Sequence, residues 1–142
     1  MGRVFIMFDV QELLKTLKDQ HREELINYQQ RQDAKLHYID FINDLTYRLH
    51  QEFYNLSQAT KSVRVLNEDD VFSLHVNEKM LRLYKFKNIN DMPDKIMVIY
   101  TNDAGNQGDE LFIDEGVYRS SKFYVELSDE LIDHYIDHIF QN

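Results

Sequence analysis

Length and composition are those of a folded globular chain. The 142 residues are 43% hydrophobic and 29% charged, a balance typical of one domain and far from that of disordered chains. No cysteine is present, which excludes disulfides, thiolate metal sites and cysteine nucleophiles and makes the reducing cytoplasm the expected compartment. The apolar run Val4 to Phe8 is too short for a signal peptide or a membrane span, and no other stretch approaches spanning length. We therefore expect no membrane association.

The acidic excess is concentrated in the last third of the chain. The 16 basic and 25 acidic residues give a net charge of −9. From Ile99 onward, ten acidic residues stand against two basic ones, Arg119 and Lys122, so this part carries −8 of that charge. A negative field disfavours nucleic acid and favours a basic protein partner or simple solubility.

The N-terminal part of the sequence predicts a very long helix. Neither glycine nor proline occurs from Arg3 to Asn90, so long uninterrupted elements are expected there. Asp9 and Glu12 have the spacing of a capping box, in which the first side chain accepts from backbone N–H groups of the first turn. A helix should therefore begin after Asp9, and the helical segment is expected to cover residues 9–58.

A stripe at spacings of three and four residues runs along this segment, apolar at both ends and polar in its middle. It comprises Val10, Leu14, Leu17, His21, Leu25, Tyr28, Gln32, Lys35, Ile39, Ile42, Thr46, Leu49, Phe53 and Leu56. One helix from Val10 to Ser57 would be about 70 Å long. A compact chain of this length has a diameter of only about 37 Å, so the stripe needs additional cover.

Two arrangements would cover the stripe. The polar segment 29–35 is either the bend of a helical hairpin or part of a continuous helix that pairs with a second chain. It contains no glycine, proline or asparagine, which favours the continuous helix. We therefore predict a homodimer. Its expected interface residues are Tyr28, Ile39, Ile42, Leu49 and Phe53.

Beyond Ser57 the hydrophobic period changes from 3.6 to 2, which predicts strands. The expected strands are Ser62–Leu66, Val71–Val76, Lys79–Phe86, Ile96–Tyr100, Glu110–Asp114 and Lys122–Leu127. Asn77-Glu78 is short enough for a tight hairpin turn, Gly116 marks another turn, and Thr101–Asp109 is expected to be a longer loop. Short connections favour an antiparallel meander of five or six strands within residues 62–127.

The last segment, residues 128–141, predicts a helix that packs on the sheet. Ser128 is a suitable N-cap, and Asp129 and Glu130 lie in the positive first turn. The apolar face of this helix comprises Leu131, Ile132, Tyr135, Ile136, Ile139 and Phe140. Because the sequence has no internal repeat and no linker, we expect residues 1–142 to form a single α+β domain.

The pair of residues most suggestive of chemistry is His134 and His138, four apart on the last helix. Two imidazoles at this spacing can bind one metal ion, and Glu130 and Asp137 lie near the same stripe. The general-base glutamate of zinc peptidases is missing, since Tyr135 follows His134. The alternative is a solvated polar face near a helix C-terminus, where positive charge is favoured. We therefore assign no metal, no cofactor and no catalytic residue.

The segment from Lys79 to Lys87 interleaves basic and aromatic residues, as surfaces that bind single-stranded nucleic acid do. Alternation along a strand places Lys79, Lys85 and Lys87 on one face and Arg82, Tyr84 and Phe86 on the other. Phosphate contacts and base stacking would then fall on different sides of the sheet. We expect an ordinary amphipathic strand and no nucleic-acid partner.

Three functions remain compatible with the sequence, in which no phosphate-binding loop, dinucleotide motif or nucleophile elbow occurs. The first is a non-enzymatic protein-binding or regulatory module that dimerises through its N-terminal helix. The alternative is an acidic inhibitor or decoy that uses Ile99 to Asn142 to occupy a basic site on a nucleic-acid enzyme. The third is an enzyme whose site forms only through tertiary proximity.

Overall fold

The computed structural model of the protein describes residues 9–85 and 94–140. Its elements are α1 Val10–Gln20, α2 Arg22–Glu52, α3 Tyr54–Ala59, β1 Val63–Glu68, β2 Val71–Val76, β3 Lys79–Lys85, β4 Lys95–Asn102, β5 Gly105–Asp114, β6 Val117–Ser120 and α4 Asp129–Phe140. The α+β class, the long N-terminal helix and the C-terminal helix are confirmed. Three residues of the predicted elements, Phe86, Lys87 and Gln141, lie outside the described residues.

The N-terminal helix begins where the capping residue predicts. Asp9 Oδ1 accepts from the backbone N–H of Gln11 at 2.9 Å and from that of Glu12 at 3.3 Å. These bonds satisfy two donors of the first turn that have no partner within the helix. The capping interaction thus fixes the start of the helix, although Asp9 and all residues of α1 are exposed.

Helices α1, α2 and α3 follow one another as a nearly continuous rod. The polar segment 29–35 lies inside α2, so no helical hairpin forms there. The backbone is irregular at His21 and Phe53. Even so, their N–H groups still donate to carbonyl groups four residues earlier, at 3.0 and 2.9 Å. The rod is therefore about 75 Å long.

The six strands form one antiparallel sheet in sequential order from β1 to β6, which confirms the meander. The turns Asp69-Asp70 and Glu115-Gly116 have positive φ at both residues, the conformation that suits two-residue hairpin connections. Asn77, with φ of 59°, opens the predicted turn Asn77-Glu78. Local turn chemistry therefore sets the register of the adjoining strands.

The predicted loop Thr101–Asp109 is wrong, because the strand ladder continues through most of it. β4 and β5 stay paired as far as Asn102 and Gly105. Only Asp103 and Ala104 form the turn. Gly105 has a φ of 106°, which suits the tight reversal. The glycine-rich and polar composition that suggested a loop belongs to the exposed tip of a long hairpin.

The predicted strand Lys122–Leu127 is also wrong, since β6 is the last strand. After β6 the chain turns through Tyr124, whose φ is 59°. Phe123 and Val125 pack against the core from this turn. Their alternation with polar residues therefore reflects packing of an irregular segment and not a strand.

The same segment covers the outer edge of β6. The N–H of Ser120 donates to the carbonyl of Val125 at 2.9 Å, and that of Leu127 donates to the carbonyl of Tyr118 at 2.8 Å. At the opposite edge of the sheet, His50 Nε2 lies 2.8 Å from the carbonyl oxygen of Val65 in β1. Side-chain and backbone bonds therefore occupy part of both edges.

Alternation along the strands gives the sheet two different faces. We call the face on which α2 and α4 pack the covered face. Its buried side chains are Val63, Val65, Phe72, Leu74, Leu81, Leu83, Ile96, Val98, Tyr100, Asp109, Leu111, Tyr118 and Ser120. Helix α2 contacts β6, β1 and β5, and α4 contacts β4 and β3. Helix α2 therefore reaches both outer strands of the sheet.

The opposite face, which we call the open face, carries no helix within residues 9–85 and 94–140. By strand register it comprises Arg64, Leu66, Glu68, Val71, Ser73, His75, Met80, Arg82, Tyr84, Lys95, Met97, Ile99, Thr101, Asn106, Gly108, Glu110, Phe112, Asp114, Val117 and Arg119. Arg82 and Tyr84 thus lie opposite Lys79 and Lys85, as the alternation predicts.

A continuous rod predicts a long distance between exposed positions on either side of residues 29–35. Because the chain has no cysteine, Lys18→Cys and Asp40→Cys introduce two unique spin-label sites. Their separation should be about 33 Å along one helix, whereas a hairpin would bring them to about 10 Å. Double electron–electron resonance on labelled protein diluted with unlabelled chain measures this distance. The pair Asp40→Cys and Glu52→Cys, both beyond the segment, should stay near 18 Å in either arrangement.

Candidate functional site

The first twenty residues of the rod extend beyond the rest of the molecule. We call residues 10–29 the arm and the remaining described residues the body. Every arm residue is exposed. Gln30 is the first partly buried residue of the rod, and its Cγ lies 4.0 Å from where a Cβ on Gly116 would be. The arm is therefore a helix about 30 Å long without cover from its own body.

Large apolar side chains follow one side of the arm. Val10, Leu14, Leu17, Leu25 and Tyr28 are between 41% and 61% exposed. With the polar His21 between Leu17 and Leu25, they recur at spacings of three and four residues, which average one helical turn. Single exposed apolar residues are normal, but a contiguous stripe is typical of a surface that meets another helix. The stripe of the arm is therefore an apolar surface that the described residues leave unpacked.

The predicted interface residues divide between the arm, the outside of the rod and the core. Tyr28 lies in the arm at 53% exposure, and Ile39 on α2 is 42% exposed. Ile42 is 4% exposed and belongs to the core, and Leu49 and Phe53 are partly buried against it. Ile42, Leu49 and Phe53 therefore pack within their own body. The sequence pattern missed this division because core contact and arm stripe lie on similar sides of one helix.

A buried carboxylate joins β5, β6 and α4. Asp109 is 6% exposed and accepts hydrogen bonds from Ser120 Oγ and, at 2.6 Å, from the hydroxyl of Tyr135. The backbone N–H groups of Glu110 and Lys122 donate to its second oxygen at 2.8 and 3.0 Å. Burial, followed by the bond to Asp109, raises the pKa of Tyr135. The phenol therefore stays a donor, and both oxygens of the Asp109 side chain have hydrogen-bond partners.

Aromatic and basic groups lie next to this carboxylate. Lys122 Nζ donates to the hydroxyl of Tyr100 at 2.8 Å and lies 5.2 Å from the centre of its ring. A carboxylate, a lysine and tyrosines are residue types that proton-transfer enzymes use. Here each of these groups is already bonded to a neighbour, and Tyr100, Asp109 and Tyr135 are buried. The arrangement fits a polar bond network that fixes the irregular segment and α4 to the sheet.

The two candidate metal ligands pack around one phenylalanine. The ring of His134 stacks on Phe123 at 5.2 Å, and the ring of His138 lies 5.0 Å from the same residue. His138 Nδ1 is 2.8 Å from the backbone carbonyl oxygen of His134. Among the residues that the structure describes, no three His, Asp or Glu side chains gather around one ion position. The contacts of both histidines are thus those of aromatic packing.

The acidic residues after Ile99 do not form one continuous surface. Asp109 is buried, and four others are in ion pairs with basic residues of the same chain. These pairs are Asp103 with Lys79, Glu110 with Lys95, Asp114 with Arg119 and Asp129 with Arg48. The five acids without an ion pair in the described part of the chain are Glu115, Glu126, Glu130, Asp133 and Asp137. About half of the local charge is thus compensated internally.

A basic cluster lies on the open face. Arg64 and His75 are cross-strand neighbours on β1 and β2, and Arg82 follows on β3. Burial lowers the pKa of His75, and the charges of both arginines lower it further. The cluster is therefore a local positive region on a chain whose net charge is −9.

Two clefts are lined by described residues. One, of about 780 Å³, is an open groove beside the turn Asn77-Glu78 and includes Lys79 and Phe140. The other, of about 250 Å³, lies between α2 and the turn Asp69-Asp70, and Tyr38 and Lys85 line it. Phe140 lines the first cleft and Lys85 lines the second, and each is the last residue of a described range. Neither cleft includes the cluster around Asp109.

Comparison with protein-family models, with curated proteins and with solved structures gives no match. In the described ranges, no helix combines the length and apolar character that a membrane span requires. Geometry and chemistry of the chain itself are thus the grounds on which function is inferred.

If the Asp109 network holds α4 on the sheet, Tyr135→Phe should destabilise the fold. The change removes one hydrogen bond to a buried carboxylate, so we expect a loss of about 1.5–3 kcal/mol in the free energy of unfolding, measured by urea titration. The control Tyr124→Phe alters a side chain that is 72% exposed and should change stability by less than about 0.5 kcal/mol. Equal effects of both changes would contradict a role for this network.

Proposed function

We propose that the protein is a non-enzymatic binding module that forms a homodimer through its arms, with the body carrying a surface for another protein. The observation that supports this most directly is the arm itself. It is a helix about 30 Å long with an apolar stripe and no buried residue. A second copy supplies a stripe of the same length and chemistry, as symmetric dimers require.

Hydrophobic burial gives the driving force for pairing. Full burial of one leucine-sized side chain contributes about 1.5–3 kcal/mol, and the arm side chains are already about half covered by their own helix. The five apolar side chains of each stripe, taken over two arms, would recover on the order of 10 kcal/mol, against association costs of at least about 4 kcal/mol. We therefore expect a reversible dimer that becomes populated at roughly tens of micromolar protein.

One polar position lies within the stripe. His21 is exposed, its backbone departs from helical geometry, and its Nδ1 lies 3.0 Å from Glu24 Oε2. A polar residue in a helix interface lowers stability while restricting the registers in which the helices pair. In a dimer, this pair of side chains would therefore select one alignment of the two arms.

The alternative function, an acidic inhibitor or decoy, has less support from the geometry. It relies on the exposed carboxylates of Glu130, Asp133 and Asp137 along α4. The ion pairs described above compensate much of the remaining acidic charge. The alternative also leaves the arm without a role, since the arm lies outside the acidic region.

Mutations in the arm test the dimer directly. Leu14→Glu places a charge in the apolar stripe and should weaken self-association about a hundredfold, because it removes a buried leucine and introduces a charge that pairing would desolvate. Thr16→Glu adds the same charge on another side of the same helix and should leave the dimer intact. Sedimentation equilibrium distinguishes the 17.1 kDa chain from a species of twice that mass. A monomeric full-length chain at about 100 μM would refute the proposal.

Removal of residues 1–27 should abolish dimerisation without unfolding the body. The described part of this segment contributes no buried residue, so the core and the urea midpoint should be nearly unchanged at low protein concentration. Circular dichroism and light scattering on the shortened chain report both properties. A shortened chain that still dimerises would place the interface on the body instead.

Salt separates the two candidate functions. Association through apolar side chains should persist at 0.5 M salt, where the Debye length is roughly 4 Å, whereas binding of the acidic surface to a basic protein should weaken steeply. The dimer fraction measured by light scattering between about 0.05 and 0.5 M sodium chloride should therefore stay constant or rise. Dissociation with added salt would indicate a charge-driven contact and count against arm pairing.

A further inference from the structure

The basic residues of the open face fall into two groups. Lys95 and Arg119 pair with Glu110 and Asp114 at 3.1 and 2.9 Å. Arg64 and Arg82 lie on the other side of the face, on β1 and β3. No carboxylate of residues 9–85 and 94–140 forms an ion pair with either arginine. Two positive charges are therefore available to a ligand.

Strand register brings these two arginines together around His75. Arg64 is the direct cross-strand neighbour of His75, and Arg82, opposite Ser73, is its diagonal neighbour. In antiparallel sheets such positions separate Cβ atoms by about 5 Å and about 7 Å. Both arginines contribute to the lowered pKa of His75, so their fields overlap at this point of the sheet.

Arg82 carries a hydrogen-bond donor that has no acceptor among residues 9–85 and 94–140. Its Nε is buried, and no described residue accepts a hydrogen bond from it. Buried donors of this kind are rare in folded proteins because they lose water without gaining a partner. A guanidinium group offers its N–H donors in a planar fork that matches a carboxylate. Nε itself has almost no accessible surface, so a bound carboxylate would supply the missing acceptor only once the Arg82 side chain turns towards it.

Two apolar side chains and one glycine, Gly108, adjoin the arginines on the open face. Leu66 is 38% exposed, and Ile99 lies opposite both Arg82 and Gly108. A Cβ on Gly108 would meet only the carbonyl oxygen of Val98, at an ordinary 3.7 Å. The backbone thus does not require glycine there, and its lack of a side chain lets another chain approach Ile99 closely.

We propose that the open face binds an acidic peptide segment of a partner protein, with one carboxylate between Arg64 and Arg82 and an apolar side chain over Ile99 and Gly108. This deepens the proposed function by naming the surface of the body and the chemistry of its partner. It does not require the arms to pair.

Local charge and net charge differ in sign at this surface, and the difference favours a peptide over nucleic acid. A long polyanion would meet Glu68, Glu110 and Asp114 on the same face, together with the field of a chain at −9. One or two carboxylates on a peptide need only the arginine cluster. The aliphatic surface at Leu66 and Ile99 also suits apolar side chains better than stacked bases.

The side-chain resonance of Arg82 Nε–H gives a direct readout. Full-length protein labelled with ¹⁵N is titrated with the acetylated and amidated peptide Leu-Glu-Leu-Asp-Ile-Glu-Leu. The matched neutral peptide, with Gln and Asn in place of Glu and Asp, is the ligand control. We expect the acidic peptide to shift the Arg82 Nε–H signal, assigned by its loss in Arg82→Lys. The signal of Arg119, on the same face, should stay in place.

Variants divide the surface into its charged and apolar parts. Arg82→Gln and Arg64→Gln should each weaken the acidic peptide about tenfold or more, as expected for loss of a charged hydrogen-bond donor. Arg119→Gln, which removes the same charge elsewhere on the open face, should have no more than about a twofold effect. Gly108→Val keeps all charges and should block the apolar contact, which weakens binding while circular dichroism remains unchanged.

Three results would overturn the inference. These are no shift at Arg82 with the acidic peptide, equal binding of the neutral peptide, and tighter binding of a thymidine oligonucleotide than of the acidic peptide. Measuring Leu14→Glu in parallel separates the two proposals. Loss of dimerisation with peptide binding intact supports both. A full-length dimer that shows no Arg82 shift refutes the peptide site alone.

Discussion

The packing of α2 on the covered face is the interaction on which the rest of the structure depends. Ala34, Tyr38, Ile42 and Leu45 bury one side of the helix against the sheet. Loss of any large member of this set would leave a cavity that costs about 2–5 kcal/mol. This contact begins only near Gln30. The rod therefore has one part that the sheet stabilises and another part, the arm, that nothing in the body supports. The first gives the body its core, and the second gives the molecule a surface that its own body cannot bury.

Much of this architecture could be predicted from local patterns. The cap at Asp9, the change of period after Ser57 and the paired turn residues indicate elements that form through contacts between near neighbours in sequence. The two wrong assignments, Thr101–Asp109 and Lys122–Leu127, lie where tertiary contacts override local preference. A long hairpin accommodates glycine through cross-strand bonds, and the Asp109 carboxylate organises an alternating segment into a turn. Neither contact can be read from spacing along the chain.

The candidate surfaces were less accessible from sequence than the fold. A helical stripe does not reveal which of its residues meet the body, so Ile42 and Tyr28 looked equivalent although one is core and the other is exposed. The arginine cluster combines residues from three strands, and its existence follows from the register of two hairpins. Composition suggested an acidic surface, because a net charge of −9 conceals a local positive region. Strand pairing decides which side chains become neighbours on the surface of a sheet. The sequence specifies that pairing only when every strand boundary is known.

The bonds and charges that block both borders of the sheet affect how the protein behaves at high concentration. Unpaired strand borders are templates on which further chains can add, and such growth has no natural end. Here the returning segment at Val125 and Leu127 occupies one border, and at the other His50 occupies the Val65 carbonyl while Arg64 and Glu68 add charge. These obstacles disfavour strand-by-strand polymerisation. If the arms pair as proposed, that contact closes on itself and does not extend into a fibre.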